Sequence, residues 1–386
     1  MKNDLWGRRG FMKFEVERDL LVDAVNWVSR SLSNRPISTA LLGIIIEADK
    51  NLTFTASDLE SSSKTEITGA ISQPGKVLVP GRLLAEISRS LPNKPISFTL
   101  DGTRVNVVSG KSKFTLPILP LNEYPNLPSI PNSTGNIPSN VFAKAINQVA
   151  IAAGKDDSLP TLTGVFIEIE NNQITLAATD RYRLAVKKLA WKSKDSNFKT
   201  HTLLRARTLS EAAKFLEVGD ELTIALNEET SNEKLIGFTF PKKTLISRVL
   251  DGSFPPFQHL LPNTFTAEAT VEISVFLEAV RRVALVTDKT VPLRLNFTNN
   301  SIQLEAGTGD EAQASESIDI NYKGEAINIA FNPTYLTDGL NALGTKFAHI
   351  GFTGANKPAI LTGIEKPDTT STENYKYLLM PMRYSA

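Results

Sequence analysis

A helix, a hairpin ending near an aspartate, and a second helix recur three times along the chain, about a third of its length apart; that period constrains the architecture more than any single residue. The first helical pattern covers residues 16–32 (VERDLLVDAVNWVSRSL), the second 138–153 and the third 274–286, each with apolar residues three and four positions apart. Hairpins of alternating polarity follow and end at Asp58, Asp180 and Asp310. Their reversals, at Asp49-Lys50-Asn51, Asn171-Asn172 and Asn299-Asn300, use residues that tolerate positive φ. Second helices open near Pro80, Arg205 and Asn332, and the equivalent Leu84, Leu209 and Leu336 stand 125 and 127 residues apart (209 less 84, 336 less 209). Three domains of one ancestral fold are the expectation.

Length agrees, because 386 residues suit two or three domains large enough to bury their own cores. The segments 116–140 and 250–269 are rich in proline and poor in backbone donors, which marks them as linkers. The expected division is a flexible extension over 1–11, then domains over 12–133, 134–257 and 258–386. Period-2 alternation between the helices predicts α+β domains with mostly antiparallel sheet, two helices covering one sheet face. Cysteine is absent, so no disulfide, thiolate metal site or thiol nucleophile is available, and a reducing cytoplasm is the expected compartment. No apolar run approaches the roughly 20 residues of a membrane span, and no signal peptide or membrane partner is expected.

A search for catalysis returns little. His201, His259 and His349 stand outside any HExxH pattern and away from a candidate serine nucleophile. Gly75-Lys76 and Gly110-Lys111-Ser112 resemble the tail of a phosphate loop, but Ala70 and Val105 stand where its first glycine belongs. Gly307-Thr308-Gly309 with Ala312 fits a loose dinucleotide pattern, yet the following EAQASES alternates like a strand and opens no helix. The recurrent Asp58, Asp180 and Asp310 read best as turn or cap residues that every copy needs. No catalytic residue, cofactor or metal site is expected.

Lysine plus arginine number 42 against 41 acidic residues, so the chain as a whole predicts no tight electrostatic grip on nucleic acid. The basic residues nevertheless gather around the helices, and a shared helical face would be basic while the sheets carry the acids.

Three segments carry a family resemblance: ATDRYRLA at 178–185, DGSFPPF at 251–257 and YLLMPMR at 377–383. With MKFEVERDLL at 12–21 and VPGRLL at 79–84, they make the chain resemble the bacterial DNA polymerase III β subunit, the sliding clamp, in order over residues 12–383. The resemblance implies clamp-fold domains with helices inside and antiparallel sheets outside, closing as a dimeric six-domain ring around double-stranded DNA. It implies no enzyme activity. It also implies a homodimer seam in which Phe114 and Leu116 on a first-domain edge strand meet Leu285 and Val286 of the other copy.

Further expectations follow from the family. Contacts to DNA, sequence-independent and weak enough to slide, are expected from Arg35, Arg82, Arg205, Arg207, Arg281 and Arg282, with Asp156 and Thr161 on a neighbouring loop. A hydrophobic cleft between the second and third domains is expected to take short peptides from the DNA polymerase III catalytic subunit, the clamp loader and other proteins that carry a clamp-binding motif. Its walls would include Leu162 and Thr179, then the run Arg181, Tyr182, Arg183 and Leu184. Pro255, His259 and Leu260 would come from the second linker and Pro358 from a later turn. Leu378, Leu379, Met380, Pro381, Met382 and Arg383 would come from the carboxyl end. Methionines adapt to varied side chains, and prolines hold a rim open. Arg181-Tyr182 stands where the family often has Gly-His, and His259 where it often has arginine, so peptide preference is expected to differ. An open three-domain monomer that binds another ligand, and an enzyme with a site gathered across domains, are the competing classes.

Overall fold

The computed structural model describes the chain apart from residues 1–10, 34–36, 196, 217, 227–233, 263, 287–290, 308–311, 368, 370–373 and 384–386. Six α-helices are described: α1 (Arg18–Val28), α2 (Gly81–Ser90), α3 (Ser139–Ala150), α4 (Ala206–Ala213), α5 (Ile273–Val283) and α6 (Pro333–Leu343). They are the three pairs expected from periodicity, and short 3-10 turns extend α1 and α5 over Ser29–Ser31 and Ala284–Val286. The hairpin strands also fall where alternation put them: Gly43–Ala48 with Leu52–Ser57, Gly164–Glu170 with Gln173–Thr179, and Leu293–Thr298 with Ser301–Ala306.

The chain divides into two compact units, one of residues 1–140 with 214–249, the other of 141–213 with 250–386. The sequence-expected central domain, 134–257, therefore contributes to both. The reason is sheet continuity, since strands of one repeat hydrogen-bond to strands of the next.

In the first unit a sheet runs in spatial order Ser133–Pro138, Glu221–Leu226, Leu235–Phe240, Lys243–Arg248, Ser61–Ile67, Leu52–Ser57, Gly43–Ala48, Gly75–Pro80. A second sheet runs Ala70–Gln73, Lys13–Val16, Ile96–Asp101, Arg104–Ser109, Ser112–Pro117, so Ser112–Pro117 is an edge. α1 lays Leu21, Ala24, Val25, Trp27 and Val28 into the core, as its period requires. Trp27 packs edge-on to Phe215 and Phe240 at 5.0 and 5.1 Å, and its indole N–H donates to the Lys64 carbonyl. A tryptophan so placed adds its large apolar area while satisfying its single donor.

The second unit repeats the long sheet: Lys199–Arg205, Gly164–Glu170, Gln173–Thr179, Arg183–Ala190, Tyr375–Leu379, Ala359–Ile364, Phe347–Phe352, Ala267–Glu272, with Asn321–Lys323 beyond. A four-stranded sheet of Ala314–Asp319, Ser301–Ala306, Leu293–Thr298 and Ile327–Phe331 completes it. α6 is capped by Asn332, whose side chain accepts from the amides of Thr334 and Tyr335. Gly339 in that helix faces Tyr377, where an added Cβ would stand 2.4 Å from the ring, so only glycine lets the helix settle on the sheet.

No helix among the described residues is long and apolar enough to cross a membrane.

Candidate functional site

The second unit builds its most distinctive surface where Arg183–Ala190 and Tyr375–Leu379 lie side by side. Register pairs Arg183 with Leu379 and Leu184 with Leu378, and Leu378 in turn pairs with Ile360. Leu184, Leu378, Ala177, Val186, Ile360 and Phe257 form one buried cluster, against which Phe166, Phe254, Leu261 and Phe265 pack. The linker 250–262 reaches this floor through its phenylalanines. Phe254 stacks on Phe166 at 5.2 Å, and Phe257 meets Phe166 edge-on at 6.2 Å.

Above that floor stands an apolar rim. Tyr182, Leu260 and Met380 are 57, 43 and 39 % exposed, high values for such side chains. Arg181, Pro255, His259 and Arg383 are exposed, while Thr179, Pro358, Pro381 and Met382 are half-buried. Leu162, Leu184, Leu378 and Leu379 are buried, so they support the surface from beneath. The chain beyond Leu379 is fastened by its backbone: the Met380 amide donates to the Tyr182 carbonyl at 2.9 Å and the Met382 amide to that of Ala330 at 2.8 Å. Two methionines at an exposed apolar rim suit a ligand whose side chains vary.

Arg183 has a different place from the one its position in the motif suggested. Its side chain is only 6 % exposed. Nε donates to Asp180 Oδ2 at 3.0 Å, Nη1 to Asp338 Oδ2 at 2.6 Å, and the guanidinium lies over the Tyr335 ring at 4.2 Å. Burial works against its charge, but Tyr377 and the carboxylates of Asp338 and Asp180 outweigh burial and hold its pKa above the ordinary arginine value. Burial likewise pushes the Tyr377 hydroxyl up, with Arg183 opposing. Arg183 therefore braces the wall from behind.

Tyr335 and Asp338 carry this brace and were not legible as site residues. Tyr335 also stacks against Tyr182, ring centres 6.4 Å apart, which makes it part of the rim. Nothing local marks either residue, because both sit on a helix more than 150 residues from the hairpin they hold. Phe254 and Phe257, by contrast, stood in the DGSFPPF motif without an assigned role.

Two of the three recurrent aspartates sit in turns whose amides they accept from, as a turn or cap role requires. Asp180 accepts from the amides of Tyr182 and Arg183, and Asp58 from those of Glu60 and Ser61. Asp310 lies outside the described residues. Thr179 Oγ1 accepts from the Arg181 amide and donates to the Arg183 carbonyl, closing the turn. Arg181 adopts φ +80°, a left-handed conformation that costs an L side chain about 1–2 kcal/mol. Glycine at this position would carry no such strain.

The basic residues fall on several elements. Arg82 on α2, Arg207 on α4 and Arg281 on α5 are exposed. Arg205 lies 3.9 Å from Asp157, and Arg282 is held by Glu316 at 2.6 Å and Glu278 at 3.5 Å. Hydrogen bonding to Arg282 draws the Glu316 carboxyl below its usual value. Asp156 accepts from the Ser158 amide, and hydrogen bonds from Ser158, with the nearby Arg181 charge, lower its pKa. Thr161 lies in the 3-10 turn Pro160–Thr163 beside Gly252. Arg35 lies outside the described residues.

Of the candidate seam residues, Leu285 is 83 % exposed and Val286 half-buried, both in the turn after α5. Phe114 is half-buried on the edge strand Ser112–Pro117. Leu116 is fully buried within its own unit, so its side chain is already spent on that core.

Among the described residues no cluster of histidine and carboxylate side chains is placed to hold a metal ion.

Three family models match in sequence order: the DNA polymerase III beta subunit N-terminal domain over residues 12–128, its central domain over 136–256 and its C-terminal domain over 258–383. The beta sliding clamp of Streptomyces coelicolor is 46 % identical over 375 residues, covering 97 % of this chain and 100 % of the relative. The crystal structure of the DNA polymerase sliding clamp from Bacillus subtilis superimposes with a TM-score of 0.88 at 27 % identity, covering 97 % of this chain and 100 % of that one. The sliding clamp from Pseudomonas aeruginosa bound to griselimycin matches with a TM-score of 0.87 at 26 % identity over the same shares.

Proposed function

The chain belongs to the DNA polymerase III β subunit family, and on that premise we propose how it works as a DNA sliding clamp. Two copies associate head to tail, and their six domains close a ring around duplex DNA, helices toward the DNA and sheets outward. The domains divide at residues 12–133, 134–257 and 258–386. Closure joins the edge strand Ser112–Pro117 of one copy to the edge strand Ala314–Asp319 of the other and so removes two unpaired sheet edges. Phe114 and the exposed Leu285 with Val286 supply the apolar part of that seam; Leu116 supports it from the core.

A ring holds DNA by topology, so strong phosphate contacts are unnecessary and would act as a brake. A chain with 42 basic and 41 acidic residues fits that need. Arg82, Arg207 and Arg281 are the exposed candidates for sliding contacts, and Arg35, outside the described residues, is proposed as another. Arg205 and Arg282 reach phosphate by exchanging a carboxylate partner, which keeps each contact weak. Asp156 acts through the turn that it caps, since its own charge repels phosphate, and Thr161 shapes the same loop.

The apolar rim over the Leu184–Leu378 floor is the docking cleft. It takes short linear peptides from the DNA polymerase III catalytic subunit, the clamp loader and other clamp-binding proteins, and so tethers them to DNA. The reading assigns the chain no catalytic step, no cofactor and a place in the cytoplasm. The observation that carries it is the conjunction of three clamp-domain matches in order with a methionine- and tyrosine-rimmed apolar cleft. The test loads the protein onto nicked circular DNA with a clamp loader and then linearises the circle. Release only on linearisation is expected; retention on both forms, or on neither, would contradict a topological clamp.

A further inference from the structure

The first unit contains the same sheet and strap as the docking cleft, with a different floor. Its strands follow the same spatial order, and Gly43 opens its strand as Gly164 opens the equivalent one. From that anchor, strand register carries Ile45 onto Phe166, Thr55 onto Ala177 and Lys64 onto Val186. It also carries Ser62 onto Leu184 and Ile246 onto Leu378. Of these five apolar positions, three thus become threonine, lysine and serine.

The linker crosses this floor as a strap. Leu119, Leu121 and Tyr124 pack on Ala40, Ile45 and Leu78, and the Leu119 amide donates to the Leu78 carbonyl at 2.8 Å. At its other end Ile130 lies on Gly237, where an added Cβ would meet it at 2.6 Å. Between these anchors a cavity of about 650 Å³ remains, large enough for several residues of an extended chain. Pro125 and Pro128 line it from the strap and offer no amide donors.

Its polar groups lie in rows that the register defines. One row runs Ile45, Thr55, Lys64, Thr244, and the next Lys76, Glu47, Thr53, all facing the cavity. Lys76 is matched by Glu47 at 2.9 Å. No carboxylate among the described residues pairs with Lys64, and the hydroxyls of Thr53, Thr55 and Thr244 make no hydrogen bond to them. The groove therefore presents one uncompensated ammonium and a ladder of hydroxyls between apolar walls.

We infer that this groove is a second docking site, distinct from the cleft, for an extended acidic peptide segment of a partner protein. A carboxylate of the peptide meets Lys64, its backbone or hydroxyl groups meet the threonines, and its apolar side chains lie against Ile45, Leu121 and Ile246. The polar floor excludes the apolar peptides suited to the cleft, because burying Thr55 and Lys64 beneath them would leave polar groups unpaired. The two sites thus sort two classes of peptide on one chain.

The test is methyl NMR on the full-length protein with labelled isoleucines. Ile45, Ile130 and Ile246 report the groove, and Ile360 reports the cleft independently. The probes are two pools of acetylated octapeptides, random except for two fixed aspartates in one and two fixed lysines in the other. The aspartate pool is expected to shift the groove methyls and leave Ile360 unmoved, and Lys64→Glu to weaken that binding about tenfold or more. Thr55→Val, which keeps the surface charge, should also weaken it. The inference is overturned by any of four results: no groove shifts, equal shifts with the lysine pool, shifts at Ile360 alone, or unchanged binding in both variants. Groove shifts produced instead by duplex DNA or by a peptide of residues 1–10 would overturn it too. Binding of polymerase-derived peptides at Ile360 in the same samples shows whether the cleft itself is intact.

Discussion

Arg183 and Asp338, 155 residues apart, are joined by a 2.6 Å hydrogen bond that fastens α6 to the wall of the docking cleft. With Asp180 on its other side, the guanidinium sits between two carboxylates and over the Tyr335 ring. Removing one member of a buried ionic group costs more than the pair contributes, because the remaining charge stays desolvated. Arg183→Met is therefore expected to destabilise the protein by about 2–4 kcal/mol in urea unfolding. Asp338→Asn, at a more exposed carboxylate, should cost about 1 kcal/mol or less. Equal small effects for both would show that the network does not brace the wall.

Much of the fold was legible because it is local. The six helices carry their apolar residues at helical spacing, and Asp58 and Asp180 sit in turns whose chemistry can be read within four residues. The brace at Arg183 was illegible for the opposite reason, since its partners lie on a helix that only the finished sheet brings near. Leu116 shows a related limit: alternation says that it faces one side of its strand, not whether its own core already fills that side. The division into two units also escapes periodicity, which sees repeats but not the strand pairing that runs between them.

Arg181 holds φ +80° at a position where glycine would be unstrained. Arg181→Gly should raise stability by about 0.5–1 kcal/mol, the relief of strain exceeding the entropy that glycine adds to the unfolded chain. Thermal unfolding at neutral pH measures it. A loss of stability would mean that the arginine side chain makes contacts worth more than the strain.

Tyr124 anchors the strap of the first unit with its hydroxyl buried beside the Ser57 backbone, without a well-formed hydrogen bond. Burial first, with the Asp58 carboxylate adding to it, pushes its pKa up to about 12 from the ordinary tyrosine value of 10.0. The folded protein then keeps a proton that the unfolded chain releases. Tyr124 stability is full below pH 10 and is lost as pH rises toward 12. Tyr124→Phe is expected to unfold with wild-type stability at pH 8 and to lose less than wild type between pH 10 and 12. Parallel pH profiles for the two proteins would count against the assignment.

The docking cleft and the strand beneath it can be separated. Tyr375–Leu379 is a central strand with Leu378 and Leu379 buried, so a chain cut before Leu378 would lose core as well as rim. A chain ending at Leu379 keeps the strand and removes Met380, Met382 and Arg383. It is expected to stay folded while its affinity for polymerase-derived peptides falls about tenfold or more, as loss of anchoring side chains predicts. Calorimetric titration alongside circular dichroism reads both properties.

Leu285 is 83 % exposed beside Val286 at the end of α5, an apolar pair that gains little from its own unit. If the pair closes the ring, its contribution lies in association, and charge there acts on the dimer rather than on the fold. Leu285→Glu with Val286→Glu is expected to give a monomer by sedimentation, with far-ultraviolet circular dichroism unchanged. The monomer's peptide affinity should match wild type, because the cleft lies wholly within the second unit. Its retention on circular DNA should vanish, because an open half-ring has no topological hold. A dimer of unchanged mass would move the seam away from α5, and a monomer still retained on DNA would mean that direct phosphate contacts, not closure, hold the protein in place.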